Sequence, residues 1–139
     1  MQTFLPEGTF EESVKALDNR RLGKQRVETM QLLKALAGGS KGWVNHPACK
    51  MWRNWEASLI NYGLVVCAEW IFRGFKDTCY DKILAYVDTF GETNDIPDWY
   101  SEDFIRSHRS NLIRKDPVFY QPKWPNVPSD LPYIWPVTS

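Results

Sequence analysis

The sequence predicts an all-α fold on three observations. Apolar residues recur at helical spacing along most of the chain, and no stretch alternates apolar and polar with the period of two that a half-buried strand requires. Helix-start and helix-stop residues punctuate the chain every few turns. The 139 residues are 43% hydrophobic and 14% aromatic, enough for a packed core in one domain spanning residues 1–139.

About five helices follow in order. Thr9-Phe10-Glu11-Glu12 has the form of a capping box, whose hydroxyl and carboxylate satisfy the orphan amides of a helix start, and it predicts a short helix from Phe10 to Leu17. Asp18 or Asn19 caps a second helix from Arg20 to Ala37, stopped by Gly38-Gly39. Gly23 inside it costs about 1 kcal/mol relative to Ala, which points to a bend or a close contact. Pro47 suits the first turn of a third stretch that runs through Trp52, Leu59 and Val65 to Gly74, with a break near Gly63. Asp77 or Thr78 caps a fourth helix ending at Phe90, and Ser101 caps a fifth from Glu102 to Lys115, stopped by Pro117. From Pro117 to Pro136, six prolines and the rings of Phe119, Tyr120, Trp124, Tyr133 and Trp135 predict an irregular arm pinned by its aromatics.

Composition narrows the function. The formal charge is zero, so no global field draws the protein to polyanions, and anion binding has to use a local patch. Charge is nevertheless segregated. Between Lys15 and Lys34 six basic residues face Asp18 and Glu28, a balance of +4, whereas between Asp77 and Asp103 Lys82 faces eight acids, a balance of −7. The chain turns basic again from Arg106 to Lys123. This pattern predicts a basic face of Arg20, Arg21, Lys24 and Arg26 joined by Arg109, Arg114 and Lys115. Three cysteines with no C-x-x-C pair fit neither a disulfide framework nor a zinc knuckle and point to a reducing, cytoplasmic setting. With two histidines, no Gly-rich phosphate loop and no nucleophile elbow, neither metal nor cofactor is expected. The longest apolar run, Gly63 to Phe72, is too short to span a bilayer, so the expectation is a monomer without membrane contact.

Two residues break the helical patterning. Arg26 falls inside the apolar arc of Leu22, Met30, Leu33 and Leu36, where a permanent charge needs a carboxylate, carbonyls or a bound phosphate. His108 lies between Phe104, Ile105 and Leu112, with Arg109 at the edge of the stripe. Both readings stay open for each, a satisfied core residue or a ligand anchor. As anchors they would converge on one site, and Arg26→Ala would impair ligand binding more than folding. His46, just before Pro47, is either a helix cap or part of a site.

Longer motifs carry a resemblance. Met1-Gln2-Thr3-Phe4-Leu5-Pro6, the run Leu17-Asp18-Asn19-Arg20-Arg21-Leu22-Gly23-Lys24-Gln25-Arg26-Val27-Glu28, Asn45-His46-Pro47-Ala48, Ser107-His108-Arg109-Ser110-Asn111-Leu112 and Leu131-Pro132-Tyr133-Ile134-Trp135-Pro136 together resemble a bacterial and phage family of pyrimidine-dimer DNA glycosylases, distantly related to phage endonuclease V. The resemblance implies a small helical protein that grips damaged or modified double-stranded DNA and attacks the sugar C1′ with its N-terminal amine. The imine so formed can eliminate the 3′ phosphate, adding a lyase activity. Carried over without gaps, an assisting glutamate of the phage enzyme falls on Gly23, and an arginine on Arg26. The catalytic candidates here are therefore the Met1 amine, Glu28 and His108. The substrate- and phosphate-binding candidates are Arg20, Arg21, Lys24, Gln25, Arg26, His46, Arg109, Ser110 and Lys115. The alternatives are a catalytically silent DNA-binding module and an enzyme acting on a free nucleotide or nucleotide-derived signal at an enclosed pocket around His108.

Overall fold

The computed structural model describes residues 2–39, 42 and 44–136, and among them every regular element is a helix. These are α1 (Phe10–Lys15), α2 (Asn19–Leu36), α3 (Pro47–Trp52), α4 (Glu56–Phe72), α5 (Tyr80–Leu84), α6 (Val87–Phe90), α7 (Glu102–Lys115) and α8 (Pro117–Tyr120). Thr9 caps α1 by accepting from the Glu12 N–H at 3.0 Å, Asp18 accepts from the Arg21 N–H at 3.3 Å, and Ser101 accepts from the Phe104 N–H at 3.3 Å.

Three expected boundaries shift, each for a local reason. The third stretch breaks at Arg53–Trp55, where Asn54 takes a left-handed φ of 74°, and not at Gly63. The expected fourth helix divides into α5 and α6, separated by Ala85 and Tyr86, and starts only at Tyr80, whose N–H is held by Asp77 at 2.7 Å. Pro117 ends α7 but also opens α8, with Asp116 capping it through the Phe119 N–H at 3.2 Å. Beyond α8 the chain follows an irregular path to Pro136.

The long helices α2 and α4 form the central pair, with α1, α5 and α6 packed against α4 and α8 against α7. Leu22, Leu32 and Leu33 of α2 meet Leu59, Tyr62 and Val66 of α4 in a core extended by Trp52, Phe104 and Leu112. Gly63 sits at the closest approach. A Cβ there would lie 2.7 Å from the Thr29 methyl and 3.1 Å from two atoms of Ile83, so the missing side chain lets α2, α4 and α5 come together. Gly63→Ala, which raises helix propensity by about 1 kcal/mol at an open site, is expected here to lower the thermal unfolding midpoint, because overpacking costs about 1–3 kcal/mol. A variant that melts at or above wild type would show that the crossing has slack.

Gly23 is the close contact and not a bend: its ideal Cβ position is 3.0 Å from the Trp70 ring, and α2 continues through it.

Candidate functional site

The site starts from the segment Gln2–Pro6, which forms no helix or strand and is buried throughout. A segment outside any helix or sheet has no regular partners for its backbone groups, so side chains from three helices supply them. The Gln25 side chain of α2 accepts from the Phe4 N–H at 3.1 Å and donates from Nε2 to the Gln2 carbonyl at 2.8 Å. Tyr62 of α4 donates to Gln25 Oε1 at 2.7 Å and lies 2.9 Å from the Phe4 carbonyl. His108 of α7 accepts from the Leu5 N–H through Nδ1 at 2.9 Å, and Arg109 donates to the Pro6 carbonyl at 2.6 Å. Trp52 donates to the Thr3 hydroxyl at 2.8 Å.

The same stretch of α7 also holds the C-terminal arm. Ser110 Oγ accepts from the Leu131 N–H at 3.0 Å, and Arg114 donates to the carbonyls of Ser129 and Leu131. The arm then carries Tyr133 and Trp135 back over the start of the chain, where their rings pack against each other and against His108 and His46 respectively.

Between these two chain ends and the first half of α2 lies a cleft of about 460 Å³. Its lining comprises Gln2, Phe4, Arg20, Arg21, Lys24, Gln25, Glu28, His46, Lys115, Tyr133 and Trp135. Four cations thus face one carboxyl, between aromatic walls. Arg21 pairs with Asp18 at 3.1 Å, whereas among the described residues no ion pair engages Arg20, Lys24 or Lys115.

Glu28 is half-buried, and burial raises its pKa above the ordinary carboxyl value. The positive charge of the N-terminus, the Gln2 N–H, Lys24 and Lys115 oppose that rise without cancelling it. A carboxyl with a raised pKa keeps a protonated fraction to higher pH than an exposed glutamate and can serve as a proton donor. His46 caps α3 by accepting from the Ala48 N–H at 3.0 Å, and burial, reinforced by the N-terminal charge, lowers its pKa and keeps the ring neutral near pH 7.

The structure therefore brings together seven of the sequence candidates: Arg20, Arg21, Lys24, Gln25, Glu28, His46 and Lys115. Met1 lies outside the described residues. Gln25 lines the cleft, but its carboxamide is spent on the chain start. Four candidates stand elsewhere. Arg26 pairs with Asp77 at 2.7 Å and lies over the Trp70 ring at 4.5 Å, on the side of α2 that packs toward α4. Arg26 and His108, expected to converge, share no hydrogen-bond or ring partner among the described residues. His108 is fully buried, walled by Phe4, Phe104 and Tyr133, and burial pushes its pKa down to about 3, so it stays a neutral acceptor for Leu5. Arg109 is committed to Pro6 and to Glu7 at 3.0 Å, and Ser110 to Leu131, so both brace the chain ends from outside the cleft. Arg114, expected on the basic face, is likewise turned to Asn111 and the arm carbonyls.

Four lining residues carried no individual expectation: Gln2, Phe4, Tyr133 and Trp135. Their signal was that they occur in the opening and closing motif blocks, but nothing in spacing places the two ends of a chain side by side.

The sequence model of the family described as pyrimidine dimer DNA glycosylase matches residues 1–83. Searches of curated proteins and of solved structures gave no match. The matched segment contains the buried chain start, all of α2 with Glu28, and His46, while Lys115, Tyr133 and Trp135 follow it in the chain. With well over half of its residues matched, including those that form the basic wall and the carboxyl of the cleft, the chain belongs to the pyrimidine dimer DNA glycosylase family.

Proposed function

We propose that the protein removes a damaged or modified pyrimidine from double-stranded DNA, with the Met1 α-amine as nucleophile and Glu28 as proton donor. One observation carries this reading: a half-buried carboxyl with a raised pKa shares a basic, aromatic-walled cleft with Gln2, the residue next to the one that bears the α-amine. Arg20, Arg21, Lys24 and Lys115 hold phosphates, and Phe4, Tyr133 and Trp135 provide faces against which an unstacked base can lie. The chain acts as a single domain and as a monomer, a reading supported by the lining residues above, which span the chain from Gln2 to Trp135.

The amine lone pair attacks C1′ as the C1′–N bond to the base breaks. The bond's electrons leave with the base, which takes up a proton, while the attacking nitrogen loses one. Glu28 then protonates the ring oxygen as the C1′–O4′ bond opens, leaving a C1′=N imine. Loss of a C2′ proton from this imine expels the 3′ phosphate, which is the lyase step. An α-amine has a pKa near 8, so a nucleophilic fraction exists at neutral pH.

Borohydride reduces an imine to a stable amine. Incubation with duplex containing a cyclobutane dimer is therefore expected to leave protein covalently bound to DNA, and acetylation of the N-terminus to abolish the adduct. Absence of any adduct on dimer-containing, abasic and modified-pyrimidine duplexes, with binding retained, would establish a silent binding module. Release of an intact base without adduct would make water the nucleophile.

A further inference from the structure

We propose that the side-chain amide of Gln2 reads the base in the cleft, donating a hydrogen bond from Nε2 to a ring carbonyl oxygen of the pyrimidine; this rests on the glycosylase reading above. Gln2 is only 5% exposed, yet it lines the cleft. Its Oε1 accepts from the Thr3 N–H at 2.9 Å, which assigns the oxygen and so identifies the other amide atom as an NH₂ donor. That donor is buried and has no partner within the protein.

Buried donors are almost always satisfied, and an orphan is costly unless something outside the chain takes its hydrogen bond. Five such side-chain atoms occur among the described residues, and of their residues Gln2 alone lines the cleft; Arg26, Thr29, Ser58 and His108 do not. The neighbouring carboxamide is already engaged with the chain start: Gln25 Nε2 donates to the Gln2 carbonyl, and its Oε1 accepts from Phe4 and Tyr62.

The ligand's chemistry follows from what the donor lacks. A neutral NH₂ in a cleft already supplied with three cations beyond ion-pair reach has little to add to phosphate binding, which charge dominates. It is suited to a neutral acceptor, and every pyrimidine base carries one in its C2 carbonyl, whereas adenine has no carbonyl at all. A site built to give a hydrogen bond discriminates strongly against a ligand that cannot receive it.

The experiment compares two substrates in one protein: glycosyl-bond cleavage in a dimer-containing duplex, measured as kcat/KM, and borohydride trapping at an abasic duplex, which has no base to read. Gln2→Met removes the donor at similar length, and Gln2→Glu keeps the acceptor for Thr3 but replaces the donor with a carboxylate. Both are too large to promote removal of Met1, so the nucleophile is the same in every variant, as intact mass would verify. The ratio of dimer activity to abasic trapping is expected to fall about ten- to hundredfold in Gln2→Met, and at least as far in Gln2→Glu. An unchanged ratio overturns the proposal, whether both activities persist or both fall together, the latter meaning that Gln2 only holds the chain start in place. A wild-type protein inactive on both substrates would instead overturn the glycosylase reading, and the base-reading role with it.

Discussion

Glu28→Gln is expected to slow glycosyl-bond cleavage in a dimer-containing duplex by about 10²- to 10⁴-fold, the range that a positioned general acid contributes. The amide keeps the side chain's shape but cannot release a proton to the ring oxygen. Because the substitution also removes the one carboxyl from the cleft lining, duplex binding should tighten rather than weaken. A parallel fall in binding and catalysis would mean that Glu28 is a structural prop. The pH profile supplies a second readout. Burial holds the Glu28 pKa above the usual carboxyl value, so the protonated fraction persists to higher pH than for an exposed glutamate and the rate falls as pH rises through that raised pKa. Glu28→Gln should lose this limb and keep the one set by the amine. Single-turnover rates across pH, at saturating enzyme, measure both.

Asp77→Ala is expected to destabilise the fold by about 3 kcal/mol or more, without direct damage to the cleft. The carboxylate is almost wholly buried, with its side chain 2% exposed, and it neutralises Arg26 at 2.7 Å while capping the start of α5 through Tyr80. Truncation leaves the Arg26 charge in a partly dry site with only the Trp70 face as compensation. Arg26→Leu combined with Asp77→Leu should recover much of the loss, because removing both charges leaves neither uncompensated. Burial alone would raise the Asp77 pKa, but the Arg26 hydrogen bond and the backbone N–H groups of Tyr80 and Cys79 outweigh it and lower the net value. The stabilisation is therefore present above the ordinary aspartate pKa and is lost as pH falls through the lowered one. Urea titration of wild type, Asp77→Ala, the two single Leu variants and their double at neutral and acid pH tests this, and additive effects of Arg26→Leu and Asp77→Leu would show that the pair is not coupled. The expectation that Arg26→Ala harms binding more than folding is reversed by this geometry.

Local chemistry carried most of the helix plan. Capping at Thr9, Asp18 and Ser101 depends on residues within three positions of one another, so the helix starts could be read directly. The cations of the first half of α2 were legible in the same way, since a helix turns Arg20, Lys24 and Glu28 to one side whatever it packs against. Tertiary contacts decided the rest. Helical spacing placed Arg26 on the apolar arc but could not choose between a phosphate and a carboxylate, and the choice rests on Asp77, 51 residues away. The same spacing marked His108 as exceptional, yet only packing shows that its Nδ1 accepts from Leu5, across 103 residues. Gapless transfer of the assisting glutamate to Gly23 points a carboxylate at the Trp70 ring, where even a Cβ is crowded, while Glu28 stands in the cleft. The cleft itself is made by α7 drawing the two chain ends together, Leu5 and Pro6 on one side and Leu131 on the other. Such long-range pairing arises from which buried amides find which partners in the closed structure, and periodicity along the chain holds no record of it.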